Sequence, residues 1–408
     1  EIVAQSLQSR GADHAWYGTL FTVCNLILLQ EAQRAGLGDF EEAIRLGWQA
    51  MDAWRTRSLE GFLAIQPMRS DTWDTAALLT TLSHVPSEFA SQIRSVRSDE
   101  ATNFLMTNRV PTGEGKWGWS FDSRDRTLPD VDDTAAVIHA LSKGSGRHQA
   151  ETQETMRGAL RWILERQNRN GGFPAWTKGV SPFLYGVLKV AAKFPDIADV
   201  GQADITARVL HMYHEIEGLN LVDKETIEKS RQRACRFFHE KSKRIANIPV
   251  NIFVGHWFTN YGYSAASIID GLIYGKCDHS YQWIKGLALW LVEIQQADGG
   301  WGEDNRSYLT KRYESGATTV SQSSLILIGL IEAYQKLQTD DPRLAEVLRE
   351  SIDRGVSFLA TRTKNGTDFF EEDFTAILVK GATYSRYELL PAYGSLYVLS
   401  RWHKVGRL

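Results

Sequence analysis

Asp130-Val131-Asp132-Asp133 crowd three carboxylates at the start of an apolar segment, residues 134–141, in a 408-residue chain with 13 tryptophans. Like charges this close push at least one carboxyl pKa upward, so one acid keeps its proton near neutral pH. A proton held in an apolar, aromatic-walled space is what protonation of a barely basic group, such as an alkene, requires. The competing reading is structural: aspartates capping a helix and offsetting its dipole.

Other side chains narrow the chemistry. His211 and His214, with His139 and Glu215, invite a metal reading, because a three-residue spacing can put two imidazoles on one helix face. No third ligand stands at a suitable spacing, so no metal centre is expected. Glu303-Asp304-Asn305-Arg306 lacks the second acid of a diphosphate–metal site, and Asp340-Asp341-Pro342 reads as a helix start. Ionisation of a diphosphate by bound metal therefore has no support.

The composition, 43% hydrophobic and 23% charged, is that of a globular chain with ample core. A net charge of -3 gives no basic footprint for nucleic acid. The apolar stretch 20–29, interrupted by Thr22 and Asn25, is too short to span a bilayer, and no secretory leader is legible. Cys24, Cys235 and Cys277 are odd in number, far apart and without metal spacing. Structural cysteines in a reducing cytoplasm are the expectation.

The positioning elements repeat. Gln167-Asn-Arg-Asn-Gly171-Gly172-Phe173 and Gln295-Gln-Ala-Asp-Gly299-Gly300-Trp301 each follow a helical segment. Weaker copies stand at Gly61-Phe62, Gly115-Lys116-Trp117 and Asn365-Gly366. The unit is 54 to 67 residues, which gives about six units. Each unit reads as one amphipathic helix and one short helix apolar nearly all round. The second kind begins at Asp74, Asp133, Asp204, Ser264 and Ser321. Helices apolar all round are buried. Six such units predict an all-α fold, a single α6/α6 barrel over 1–408, with residues 1–60 as a helix pair completing it. No segment has strand periodicity. The capped starts of the inner helices, carrying Trp73-Asp74, Asp132-Asp133 and Asp204 with Arg208, are predicted to converge at one mouth.

At these residues the chain resembles the class II terpene cyclases of the squalene–hopene cyclase type. The pieces are Pro129-Asp130-Val131-Asp132-Asp133-Thr134-Ala135, Trp73-Asp74-Thr75 and the glutamine-led repeats at Gln167 and Gln295. A longer piece runs from Asp298 to Tyr308 and is followed by Ser321-Gln322. The similarity extends from about residue 60 to the C-terminus. Those cyclases usually carry a second α-barrel domain, for which this chain has no room. It is therefore similar to single-domain members, some of which cyclise prenylated hydroxybenzoic acids into meroterpenoids. The family's Asp-x-Thr-Ala-His stretch reads Asp204-Ile-Thr-Ala-Arg208 here.

The resemblance implies protonation of a terminal alkene or epoxide by Asp132, with Asp130, Asp133 and Arg208 setting its state and Asp74 and Asp204 supporting them. An alkene is a weaker base than a carboxylate by at least about ten pKa units, so the transfer is uphill by about 14 kcal/mol. Groups that stabilise the new carboxylate offset part of that. Aromatic faces offset about 2 kcal/mol each when desolvated. Trp73, Trp119 and Trp257, with Tyr261 and Phe121, match the cation-stabilising positions, and at least two of the three tryptophans are expected to line the cavity. Gln167, Gln295, Phe173 and Trp301 are expected to stitch outer helices together. A permanent cation on Asp132 would hold it ionised. Arg208 is therefore expected to pair with Asp130, Asp133 or Asp204 and to reach Asp132 indirectly, or else to serve only as a counter-ion.

The expected substrate is a linear isoprenoid, best matched by a geranylgeranyl- or farnesyl-hydroxybenzoate giving a polycyclic meroterpenoid. A prenyl diphosphate and squalene are the alternatives. A non-catalytic binding barrel and an α6/α6 glycosidase with paired carboxylates are the rivals of other classes. No cofactor is expected, and Mg2+ enters only if the substrate carries a diphosphate. The expected location is cytoplasmic, with peripheral membrane contact left open.

Overall fold

The computed structural model describes residues 18–53, 55–57, 63–65, 70–89, 98–124, 126, 128–176, 201–380 and 383–406. The weak repeat at Gly61-Phe62 lies outside them.

Six helices carry the buried faces: α3 (Asp71–His84), α5 (Val131–Lys143), α7 (Ala203–Glu215), α9 (Tyr261–Tyr274), α11 (Val320–Leu337) and α13 (Leu390–Val405). Each packs on the next, and α13 returns to α3, so the ring closes. Outside it stand α4 (Ser98–Thr107), α6 (Ala150–Arg166), α8 (Lys224–Lys241), α10 (Tyr281–Glu293) and α12 (Pro342–Arg362). The alternation in space follows the alternation of apolar and amphipathic helices in the chain. The expected α/α barrel is the fold observed, with six inner and five outer helices among the described residues. Upstream, α1 (Gly18–Arg34) and α2 (Glu41–Ala53) pack on each other through Leu26, Leu29, Ala50 and Met51, a cluster separate from the main core.

Inner helices approach closely where small residues meet. Gly329 of α11 lies against Ala266 of α9, and Gly271 of α9 against Ala207 of α7; a Cβ at either glycine would collide with its neighbour. The glutamine repeats fix the outer ring. Gln167 Nε2 donates to the carbonyls of Gly171 and Ser230, both at 2.8 Å, and Ser230 Oγ returns a bond to Oε1. Gln295 repeats this with Gly299 and Ser351. Each amide thus closes its own turn and clamps it to the next outer helix. Trp301 is fully buried, and its indole N–H reaches the Leu291 carbonyl at 2.7 Å.

Two expectations are corrected. The loops contain short antiparallel ribbons, among them β1 (Val110–Gly113) with β2 (Lys116–Gly118) and β3 (Trp301–Glu303) with β4 (Ser315–Thr319). Strands this short show no alternation in sequence. Cys235 on α8 and Cys277, just past α9, form a disulfide across 42 residues. Their pairing follows from the approach of α8 to the C-terminal end of α9, which no local spacing announces. Among the described residues, no helix is long and apolar enough to cross a membrane.

Candidate active site

The start of α5 is fixed by its own residues. Asp130 is the N-cap: its backbone is extended, and its Oδ1 accepts from the Asp133 N–H at 2.7 Å. Thr134 Oγ1 donates to the Asp130 carbonyl at 2.6 Å and accepts from the Trp119 N–H at 3.0 Å. The Val131 N–H donates to the Ala175 carbonyl. These bonds leave the Asp132 side chain free to turn towards α7.

Asp130, Asp132 and Asp133 are all at most 3% exposed. Burial pushes the Asp130 carboxyl up to about 7 and Asp133 well above the carboxylate range. Burial also raises Asp132, against the pull of Arg208. The upward shifts therefore come first from lost hydration and only secondarily from like charge.

Arg208 departs from expectation. Its Nε donates directly to Asp132 Oδ1 at 2.5 Å, not to Asp130, Asp133 or Asp204. The guanidinium carbon lies 4.5 Å from the centre of the Trp73 ring. Trp73 Nε1 in turn donates to the Tyr393 hydroxyl at 3.0 Å. Asp204 points elsewhere: its Oδ2 accepts the N–H groups of His256 and Trp257 at 3.1 and 3.3 Å, holding that loop. Asp74 accepts from Ser70 Oγ and Tyr387 Oη at 2.5 and 2.9 Å, and burial lifts it to about 6. The Trp257 indole adds a small downward pull on the Asp132 carboxyl.

A cavity of about 190 Å³ runs inside the ring. Trp73, Asp204 and Arg208 line it, with Phe258, Tyr263 and Tyr393. Asp132 lies behind Arg208 and is not itself part of the described wall. Of the three tryptophans expected there, Trp73 alone lines it. Trp119 is fully buried with its indole N–H on the Leu105 carbonyl at 2.7 Å, a core position. Trp257 packs edge-on against Trp176, Phe121 against Tyr387, and Tyr261 is buried at the start of α9 beside Glu303.

Sequence reading missed the C-terminal aromatic wall, Tyr393 and Tyr397, whose four-residue spacing on α13 was the available signal. It named His139 and His211 but did not place them, or Asp270, at the far end of the cavity. His139, named with His211 and Glu215 but without a spacing that joins it to them, is brought across the ring by α5; ligand atoms of the three lie within 4.8 Å of one another. His211 Nδ1 sits 3.1 Å from Asp270, and its Nε2 sits 3.6 Å from Glu215, which also pairs with Lys143. Those carboxylates raise His211 to about 9 against its burial. The pattern is that of a charged imidazole held between acids.

Comparison with known proteins places the chain in a family. A probable squalene–hopene cyclase of Sinorhizobium fredii is 28% identical over 83% of this chain and 50% of its own length. Enfumafungin synthase of Hormonema carpetanum is 28% identical over 80% of this chain and 24% of its own. The chain spans about half the length of the cyclases first among these curated relatives. In fold, ent-copalyl diphosphate synthase from Streptomyces platensis superposes with a TM-score of 0.56 at 13% identity, covering 89% of this chain and 55% of that one. The type II terpene cyclase MstE from Scytonema, solved with geranylgeranyl dihydroxybenzoate, gives 0.52 at 14%, covering 88% and 94%. Residues 69–404 match the squalene-hopene cyclase C-terminal domain, and the chain belongs to that family.

Proposed function

We propose that this barrel is a class II terpene cyclase that starts a cationic cyclisation by protonating a linear polyprenyl chain from Asp132. The observation that carries the reading is the ion pair between the buried Asp132 and Arg208, the latter on the wall of a largely apolar cavity.

Burial favours the neutral acid, and Arg208 favours the carboxylate. A donor to carbon needs both. The neutral form must exist before transfer, and the carboxylate must be stabilised after it. In our reading the resting pair opens as substrate fills the cavity, with Arg208 leaning on Trp73. The Asp132 O–H bond then breaks, its proton forms a C–H bond at the terminal alkene, and a tertiary cation remains. The π electrons of the next alkene close the first ring. Arg208 returns to the new carboxylate, and the Trp73 face turned away from the guanidinium stabilises the cation nearby. This chemistry draws on no cofactor.

The substrate we propose is a prenylated aromatic acid such as a geranylgeranyl- or farnesyl-hydroxybenzoate. Two points support it over a prenyl diphosphate. MstE, of like fold, was solved in complex with such a substrate. Arg208 is the only lysine or arginine among the described cavity walls, whereas a diphosphate calls for several. Purified protein should be incubated with a panel of prenyl hydroxybenzoates, prenyl diphosphates and squalene. Conversion of a hydroxybenzoate to a cyclic isomer, read by mass spectrometry, supports the reading. Exclusive turnover of a diphosphate would move the substrate class, and no turnover by well-folded protein would remove the cyclase.

A further inference from the structure

The cavity has two polar tiers with an apolar stretch between them. The first holds Asp204 and Arg208 on α7 and Tyr263 on α9, with Asp132 of α5 behind. The second holds His139 on α5, His211 on α7 and Asp270 on α9. His139 follows Asp132, His211 follows Asp204, and Asp270 follows Tyr263, each by seven residues. Seven residues are two turns of helix, about 10.5 Å, and return to the same face. Ala136, Ala207 and Ala266 line the space between.

The second tier contains one unpartnered group. His139 is 7% exposed, lines the cavity, and its Nε2 has no hydrogen-bond partner. A buried ring nitrogen left unpaired is costly, so the position asks for an explanation. His211, beside it with ring centres 4.8 Å apart, is engaged by Asp270 and Glu215.

We propose that His139 is the base that ends the cascade, its Nε2 taking a proton from the carbon next to the last cation after one or two ring closures. This rests on the cyclase reading above. The C–H bond breaks, its electron pair becomes the new C=C bond, and the proton forms an N–H bond on His139. The product is a neutral alkene isomeric with the substrate. Asp132 has lost one proton and His139 has gained one, and exchange with solvent after release resets both.

The surroundings of His139 suit the task. Burial, His211, Lys143 and His84 hold its pKa well below the usual value, and Glu215 opposes them. The imidazole is therefore neutral at physiological pH, with its lone pair available. Low basicity is no handicap here, because a protonated alkene is more acidic than a carboxylic acid by at least about ten pKa units. The distance sets the product. About two helical turns separate acid from base. That span accommodates the first one or two six-membered rings and leaves the rest of a long prenyl chain uncyclised.

The test compares the wild-type chain with His139→Phe and His139→Gln on geranylgeranyl dihydroxybenzoate and geranylgeranyl diphosphate, with folding checked by thermal melts. The wild type should give a mono- or bicyclic alkene. Both variants should still consume substrate, but that alkene should fall at least about tenfold, with water-trapped alcohols or further-cyclised products replacing it. An unchanged product ratio in either folded variant, or a tri- or tetracyclic wild-type product, overturns the assignment. Absence of wild-type turnover on either probe is a different failure: it removes the cyclase reading and this inference with it.

Discussion

Arg208 holds Asp132 at 2.5 Å through Nε while its guanidinium covers the face of Trp73 at 4.5 Å. The acid, its counter-ion and an aromatic wall form one continuous stack. The arginine keeps 27% of its side chain accessible where it lines the cavity, whereas the Asp132 side chain keeps 4%. Anything that reaches Asp132 from the cavity must first deal with Arg208.

Arg208→Ala is therefore expected to lower kcat by about 10²- to 10³-fold, the usual cost of losing one preorganised group that stabilises developing charge. Folding should survive, because the unpaired Asp132 can take up a proton in place of its lost partner. Arg208→His, which restores the residue type of the resembled family, should recover part of the rate. Steady-state kinetics with melts of each variant check this. Equal rates for the alanine and wild-type proteins would make Arg208 a plain counter-ion.

Trp73 and Trp119 should separate. Trp73→Leu removes a face worth about 2 kcal/mol to a nearby cation, so kcat should fall roughly 30-fold and the product ratio should shift. Trp119→Leu leaves a void in the core and strands the Leu105 carbonyl; its signature is a lower Tm, with destabilisation approaching the roughly 3–5 kcal/mol of large-to-small tryptophan changes. Product profiles and melts on both variants decide it. The assignment fails if the two signatures are exchanged.

Much of this was legible in sequence. The Asp130–Asp133 cluster and the glutamine repeats announce themselves by local spacing, and the six-unit period implies the ring. The parts not legible depend on how helices meet. Whether Arg208 chooses Asp132 or Asp204 is a question of side-chain direction across the α5–α7 contact. Trp119 and Trp73 have the same composition signal but opposite fates, one in the core and one on the cavity. His139, His211 and Asp270 lie on three helices, and only the packing of α5 on α7 and α7 on α9 makes them neighbours. The Cys235–Cys277 disulfide is of the same kind.

Gln295→Ala should act on stability alone. It removes the bonds to Gly299 and Ser351 and leaves buried carbonyls unpaired, a loss of about 1–3 kcal/mol. Calorimetry should show a lower Tm while the product profile stays as in the wild type. A changed profile would place the repeat in the site.

The pH dependence of stability carries a definite sign at Asp130. Burial raises its carboxyl from 3.8 to about 7, so between those values the folded state binds more protons than the unfolded one. Its contribution is fully present below about pH 4 and is lost as pH rises through 7. Asp130→Asn keeps an acceptor for the Asp133 N–H and removes the titration. The Tm of Asp130→Asn relative to wild type should therefore be more positive at pH 8 than at pH 5. A difference that does not change with pH would contradict the shift.

The central claim is that hydrogen passes from Asp132 to carbon. The most direct measurement incubates the wild type and Asp132→Asn with geranylgeranyl dihydroxybenzoate in deuterated water and reads the products by mass spectrometry. The account expects one deuterium per product molecule at the end where cyclisation starts, and no product from a folded Asp132→Asn that still binds substrate. A cyclised product without solvent deuterium, or an Asn variant that turns over at the wild-type rate, would contradict it.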